Sequence, residues 1–329
     1  MKKKSLIKKI TGSREALLMI ILMLLYVVVG IKSPSFVSVN SVMDMLKNYA
    51  VTMIMSLGML GVMLVGGIDI SIMSTVAFSG MSIGMLLKYN YISNTLLSFV
   101  IAIAIGTVCG ALIGFVISRA DVPPIIATMG FMYIYRALAY IVGNSEWAGA
   151  DTLGEFKEFA LQKFLGLDKV VWVTVICYIV FFIVMKWTRI GRKIYAVGSN
   201  ATAAEVSGIN VKNIKFLVYT VMGFLSGLGG ALSVSVYASA QPNMQLTKEM
   251  DVIAACVIGG VSMSGGRGTV LGVLLGSWML ASITKALSII GFDSIYQNTI
   301  KGVIILVVVV VNVVMQRIMD QNALKGREM

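Results

Sequence analysis

The sequence predicts an all-α, polytopic transmembrane bundle of about ten spans, some of them broken helices. Three observations carry that expectation. Apolar residues make up 58% of the 329 positions and charged residues 13%, with a mean hydropathy of +0.90, far from the balance of a soluble domain. Apolar runs recur at the length of about 20 residues that crosses a hydrocarbon core. Glycine pairs such as Gly66-Gly67 and Gly259-Gly260 interrupt two of these regions, and irregular backbone at membrane depth is tolerated only inside protein.

Taken in order, the expected spans are 16–31, 46–65, 70–88, 94–118, 124–143, 170–187, 215–237, 250–264, 268–289 and 297–316. The first follows a basic head at residues 1–9 but runs into Ile31-Lys32-Ser33-Pro34 with no small-residue cleavage pattern, so it reads as a retained span rather than a secretory leader. The whole chain, 1–329, forms one permeating domain with tails at 1–15 and 317–329 and long connections at 144–168 and 188–213. Placing both tails in the cytoplasm puts about 17 of the 27 basic residues inside, as the positive-inside rule favours. The net charge of +12 therefore marks topology and lipid contact, not nucleic acid.

Two glycine ladders, Gly106-Gly110-Gly114 and Gly268-Gly272-Gly276, put small residues on one helix face for close packing. Their separation by five spans also fits an inverted repeat. In the outer connection, Leu153, Phe156, Ala160 and Phe164 recur at helical spacing, which predicts an amphipathic surface helix. The inner connection is basic and punctuated by Gly191, Gly198 and Gly208. Cys109, Cys177 and Cys256 all fall in apolar segments and read as buried small hydrophobes.

Catalytic chemistry has little to work with. The chain has no histidine and no cysteine cluster, which removes most membrane hydrolases and metal sites. It also lacks G-x-x-x-x-G-K-[ST], so it cannot cradle ATP phosphates in that manner. Any ATP used in its work is bound by another polypeptide.

Charges inside spans are expensive and are default candidates for function. Asp69 follows Gly66-Gly67 and precedes Ser71, where it reads either as an N-cap of the third span or as a solute contact. Arg136 lies within Tyr133-Ile134-Tyr135-Arg136 and can donate to carbonyls, a carboxylate or a polyhydroxylated solute. Asp69, Ser71, Tyr133 and Arg136 are the candidate substrate-pathway residues. Lys285 and Lys301 sit near span ends and are expected to snorkel outward. In the inner connection, Thr202-Ala203-Ala204-Glu205 matches a capping box and Gly208 can stop the helix it starts.

Several of these segments together resemble one family. Val65-Gly66-Gly67-Ile68-Asp69-Ile70-Ser71, Thr128-Met129-Gly130 through Arg136, and Gly191-Arg192-Lys193-Ile194-Tyr195-Ala196-Val197-Gly198-Ser199-Asn200 through Ile209 are similar to the ribose-type carbohydrate permeases. So are Asp251-Val252-Ile253-Ala254-Ala255, Ile258-Gly259-Gly260 and Gly265-Gly266-Arg267-Gly268. The resemblance runs in order from about residue 45 to 316, departing mildly at Ile70 and Met73. It implies the membrane subunit of an ATP-binding-cassette importer for a small sugar, paired with a second permease chain, an ABC ATPase and an extracytoplasmic solute-binding protein. The chain itself would bind no cofactor, ATP and Mg being used by the ATPase. It further implies that Asn200, Thr202, Ala203, Ala204, Glu205 and Gly208 form the helix that couples to that ATPase. Within the class, a nucleoside or branched-chain amino acid is the alternative solute. Outside it, an ion-coupled secondary transporter needs midplane ion sites, for which only Asp69 is suited, and a purely structural or receptor-like role leaves the basic inner connection unexplained.

Overall fold

The computed structural model describes residues 14–293, 295–304, 306, 307 and 310. Helix α1 (Arg14–Lys32) leads through a 3-10 turn (Pro34–Val37) into α2 (Val39–Leu64), which the Ser38 hydroxyl caps by accepting from Ser41 N at 3.2 Å. Every residue from Ala50 to Leu64 is buried, as expected of a helix that is apolar all round. It is the central post of the bundle. After the break at Gly66, where φ is +77°, come α3 (Ile72–Lys88), α4 (Thr95–Arg119) and α5 (Pro124–Gly143). A single-turn α6 (Phe156–Phe159) and a hairpin of β1 (Lys163–Phe164) with β2 (Leu167–Asp168) precede α7 (Lys169–Trp187). Then follow α8 (Arg189–Ser199), α9 (Ala201–Val206), α10 (Val211–Tyr237), α11 (Lys248–Ile258) and α12 (Val270–Ile290). Residues 295–304 are helical again.

Among the described residues, seven helices are long and apolar enough to cross a membrane, and α3 is a shorter apolar helix of 17 residues. The chain is a multi-pass α-helical membrane protein. Both glycine ladders are contact surfaces, although Gly268, at φ +154°, lies in the turn before α12 and only Gly272 and Gly276 lie on that helix. A methyl group on Gly110 would come within 2.6 Å of the Gly223 Cα in α10, and one on Gly276 within 2.6 Å of the Gly259 N at the end of α11. Only the absence of side chains lets those helices approach so closely.

Four expectations need correcting. The stretch 250–264 is not one continuous spanning helix: α11 has 11 residues and stops at Ile258, so it reaches about 16 Å, roughly half the hydrocarbon core. The glycine pair that follows breaks the helix, with φ +90° at Gly260, and the chain continues through the 262–269 turn into α12. The connection at 144–168 forms one helical turn instead of an amphipathic helix. Leu153, Phe156 and Ala160 are buried, but Gly154 at φ +53° precedes the turn and Phe164 ends up exposed in the hairpin. Lys301 does not snorkel: it is 6% exposed and lies 3.6 Å from the Asp251 carboxylate. Lastly, the helix expected from 46 begins at Val39. Most of the tail expected at 1–15, the tail at 317–329 and the end of the span expected at 297–316 lie outside the described residues.

Candidate functional site

Three constellations surround the residues singled out by sequence. The first is the break between α2 and α3. Asp69, 2% exposed, accepts from Ser71 N at 2.9 Å and from Ser71 Oγ at 2.6 Å. The N-cap position of α3 belongs to Ser71, not Asp69. The aspartate acts from two residues earlier, satisfying a backbone donor ahead of the helix rather than in its first turn. Thr128 Oγ1 donates to Ile68 O at 3.3 Å, tying α5 to the break. The Tyr219 hydroxyl packs against Gly67 and is buried without a hydrogen-bond partner among the described residues.

The second constellation centres on Arg136. Its Nη1 donates to Pro242 O at 2.7 Å and Met244 O at 3.1 Å, so one guanidinium nitrogen clamps the segment between α10 and α11. Glu249 at the start of α11 lies within electrostatic reach of it. Tyr133, one turn earlier, is 68% exposed on the open face of α5. The structure therefore does not gather the four pathway candidates into one pocket. Asp69 and Ser71 sit beside Thr128, about 12 Å along α5 from Arg136 at the usual rise.

Sequence reasoning missed the charges beside this clamp. Lys248 Nζ lies 3.3 Å from Asp251 Oδ2, and Lys301 shares the same oxygen. The i, i+3 spacing of Lys248 and Asp251 was the available signal. It was hidden because this stretch also reads as the polar margin of a span.

The third constellation is the connection 188–213. Thr188 caps α8 by accepting from Gly191 N at 3.2 Å. Asn200, extended at φ −163°, caps α9 by accepting from Ala203 N at 2.9 Å. The capping box at Thr202 and Glu205 is not formed. Thr202 already lies inside the helix, and the third helical position is Ala203, because Asn200 comes earlier in the chain and caps the helix two residues before Thr202 could. The stop at Gly208 is found, with φ +81° and Gly208 N donating to Glu205 O at 2.9 Å. Ala204 is buried, while Thr202, Ala203 and Glu205 are exposed and Val206 is 87% exposed. An apolar side chain held out at the tip of a rigid turn is suited to a partner surface.

This connection is knitted to the bundle. Gly266 N donates to Leu64 O at 2.9 Å, Gly198 packs onto the same carbonyl, and Tyr195 Oη donates to Gly268 O at 2.7 Å. The end of α2, the end of α8 and the 262–269 turn thus meet backbone to backbone. Lys212 lies 3.4 Å from Asp121, and Arg119 donates to Asn213 at 2.6 Å, so the base of α10 is fastened to the end of α4.

A family model described as the permease component of branched-chain amino acid transport systems matches residues 41–309. The chain belongs to that permease family. Similar proteins include the ribose import permease RbsC of Escherichia coli K12, 34% identical over 297 residues that cover 89% of this chain and 92% of the relative. The Bacillus subtilis ribose import permease RbsC is 33% identical over 88% of this chain and 90% of its own. The Azospirillum brasilense L-arabinose ABC transporter permease AraH is 30% identical over 90% and 86%. No solved structure matches the permease. The matched segment takes in all three constellations, from α2 through the final helical run.

Proposed function

We propose that this permease is the membrane subunit of an ATP-driven importer of a small sugar. The observation that carries this reading is kinship along nearly the whole chain with relatives named for ribose and L-arabinose. The family description names branched-chain amino acids, but the relatives just compared are named for sugars. A further relative, the Escherichia coli galactose/methyl galactoside permease MglC, is 34% identical.

In this reading both termini and α8–α9 face the cytoplasm and the 238–247 segment faces outward, as the basic residues on Lys186, Arg189, Arg192, Lys193 and Lys212 favour. A separate ABC ATPase binds ATP and Mg, and docks on α9 through Thr202, Ala203, Glu205 and Val206. Movement of α9 reaches the spans through Gly198 and Tyr195. A solute-binding protein delivers sugar at the outer face. A second permease chain, identical or related, covers the open face of α5, which presents Met129, Tyr133 and Ile134, and the solute passes between the two chains.

Uptake by proteoliposomes containing the permease, its ATPase and its binding protein tests the reading. ATP-dependent accumulation of D-ribose, L-arabinose or D-galactose is expected. Accumulation of L-leucine with none of the sugars would overturn it.

A further inference from the structure

On the face opposite α8–α9, a cavity of about 540 Å³ is lined by Lys88, Tyr140, Ser145, Glu146, Trp147, Gln241, Pro242 and Asn243. Lys88 closes α3 at the end remote from the Gly66 break, and Tyr140 lies in the last turn of α5. Two loops complete the wall. They are joined by an antiparallel bridge between Ala148 and Ala240, with N–O distances of 3.1 and 2.9 Å, and both alanines are fully buried. Arg136 holds the Pro242 carbonyl from below. Asn144 and Ser145, consecutive non-glycine residues at φ +46° and +64°, turn the chain so that Ser145 and Glu146 face the cavity. Such backbone persists only where its surroundings enforce it.

The charges here are settled within the protein. Lys88 Nζ donates to Glu146 Oε2 at 2.6 Å and to Trp147 O at 3.0 Å, and Tyr89 Oη donates to the same Oε2 at 3.1 Å. Two of the three lysine donors are thereby used, and the ion pair leaves the wall close to neutral. Glu146 Oε1 remains open to accept. The Tyr140 and Ser145 hydroxyls, the Trp147 indole N–H and the Asn243 amide make no hydrogen bond to another described residue.

A neutral wall with several unspent donors and acceptors beside an indole face suits one ligand chemistry. A monosaccharide presents hydroxyls that both donate and accept, and a face of C–H groups that packs on the electron-rich face of an aromatic ring. An amino acid carboxylate would find no uncommitted cation in this wall, because Lys88 is already paired with Glu146. The volume is that of small-molecule sites. The geometry points to an outer-face subsite for a neutral polyol of monosaccharide size, with Trp147 as the stacking platform and Glu146, Asn243 and Ser145 as hydroxyl partners. The inference rests on the sugar-import reading and names a place where this chain itself meets the solute before translocation. A tryptophan near a membrane surface is otherwise an interfacial anchor, and an anchor has no use for a cradle of unpaired polar groups.

The test uses the permease–ATPase complex in lipid nanodiscs without the binding protein, titrated to millimolar concentrations of D-ribose, L-arabinose, D-galactose and, separately, L-leucine. Tryptophan emission should change saturably with at least one sugar, and the change should vanish in Trp147→Phe. Asn243→Ala should weaken the apparent affinity about five- to tenfold, the effect of one lost hydrogen bond. Both side chains are at the surface of the cavity, so both variants should retain the elution profile of the complex. ATP-dependent sugar uptake by the complete transporter, with no saturable emission change in the nanodiscs, would overturn the subsite and leave the sugar-import reading standing. A response that persists in Trp147→Phe would also overturn the subsite. A response to L-leucine instead of the sugars would overturn the assignment to polyols.

Discussion

The backbone of Gly198 lies directly against the carbonyl of Leu64, with no room for a side chain between them. One residue lies in the last turn of the helix that leads into the exposed turn α9, and the other ends the central post of the bundle. The Gly266 N–H bonds to the same carbonyl, so α8, α2 and the 262–269 turn meet with no flexible side chain between them.

Gly198→Ala tests that join. A methyl group would come within 2.6 Å of the Gly266 N and 2.8 Å of the Leu64 carbonyl carbon, and such overpacking costs about 1–3 kcal/mol. A lower thermal midpoint in detergent and a loss of ATP-driven uptake are expected together. Unchanged values of both would show that the join is slack.

The cap of α9 makes a second, sharper prediction. Asn200→Ala removes the acceptor of the Ala203 N–H and should destabilise this two-turn region by about 0.5–2 kcal/mol. Co-purification of the ATPase and solute uptake should fall together. Thr202→Ala with Glu205→Ala keeps the cap, and should reduce ATPase retention only through lost surface contact. If the double variant frays α9, seen by cysteine labelling at Ala204, while Asn200→Ala does not, the cap is misassigned.

Arg136 holds two carbonyls of the 238–247 segment. Arg136→Ala should leave the complex assembled but raise backbone hydrogen exchange in that segment about tenfold or more, since bonds from a charged donor contribute about 1.5–3 kcal/mol. Uptake should fall in parallel. Arg136→Lys, with a single ammonium in place of the guanidinium, should fall between the two. Failure to assemble would assign Arg136 to the structure of the bundle as a whole.

Acidification addresses the Lys88–Glu146 pair. The hydrogen bond from Lys88 foremost, with that from Tyr89, holds the Glu146 carboxyl below the usual carboxylate range. A depressed folded-state pKa contributes stability that is fully present above the unfolded value, about 4.3 for glutamate, and is lost as pH falls through the folded value. Thermal midpoints of the protein and of Glu146→Gln should therefore differ by a constant amount from pH 8 to 5 and converge only below that. Convergence near pH 6 would contradict the pairing.

Much of the architecture was legible because lipid imposes it. Runs of apolar residues marked α1, α4, α5, α7 and α12 to within a few residues, since each must satisfy its own backbone while crossing. The ladder at Gly106-Gly110-Gly114 announced a close helix contact, and the structure supplies Gly223 and Gly227 as its partners. Gly208 was readable as a helix stop because few residues other than glycine adopt its φ easily.

Other features depended on neighbours that no local pattern names. Hydropathy marked 250–264 as one apolar run, but the short α11 and the break after it sit where Gly259 packs against Gly272. Thr202 and Asn200 are both eligible caps, and the choice between them follows from the extended backbone at Asn200. Lys301 is buried where Asp251 lies beside it, and the cavity at Lys88 and Trp147 is walled by loops that the Ala148–Ala240 bridge joins across about ninety positions of chain. The sequence by itself determined the membrane class, most spans and the family motifs, because hydrophobic length and glycine spacing are local properties. Tertiary structure alone decided which polar groups are spent on one another and which remain free to meet a solute, because hydrogen bonds and ion pairs are satisfied between segments far apart in the chain.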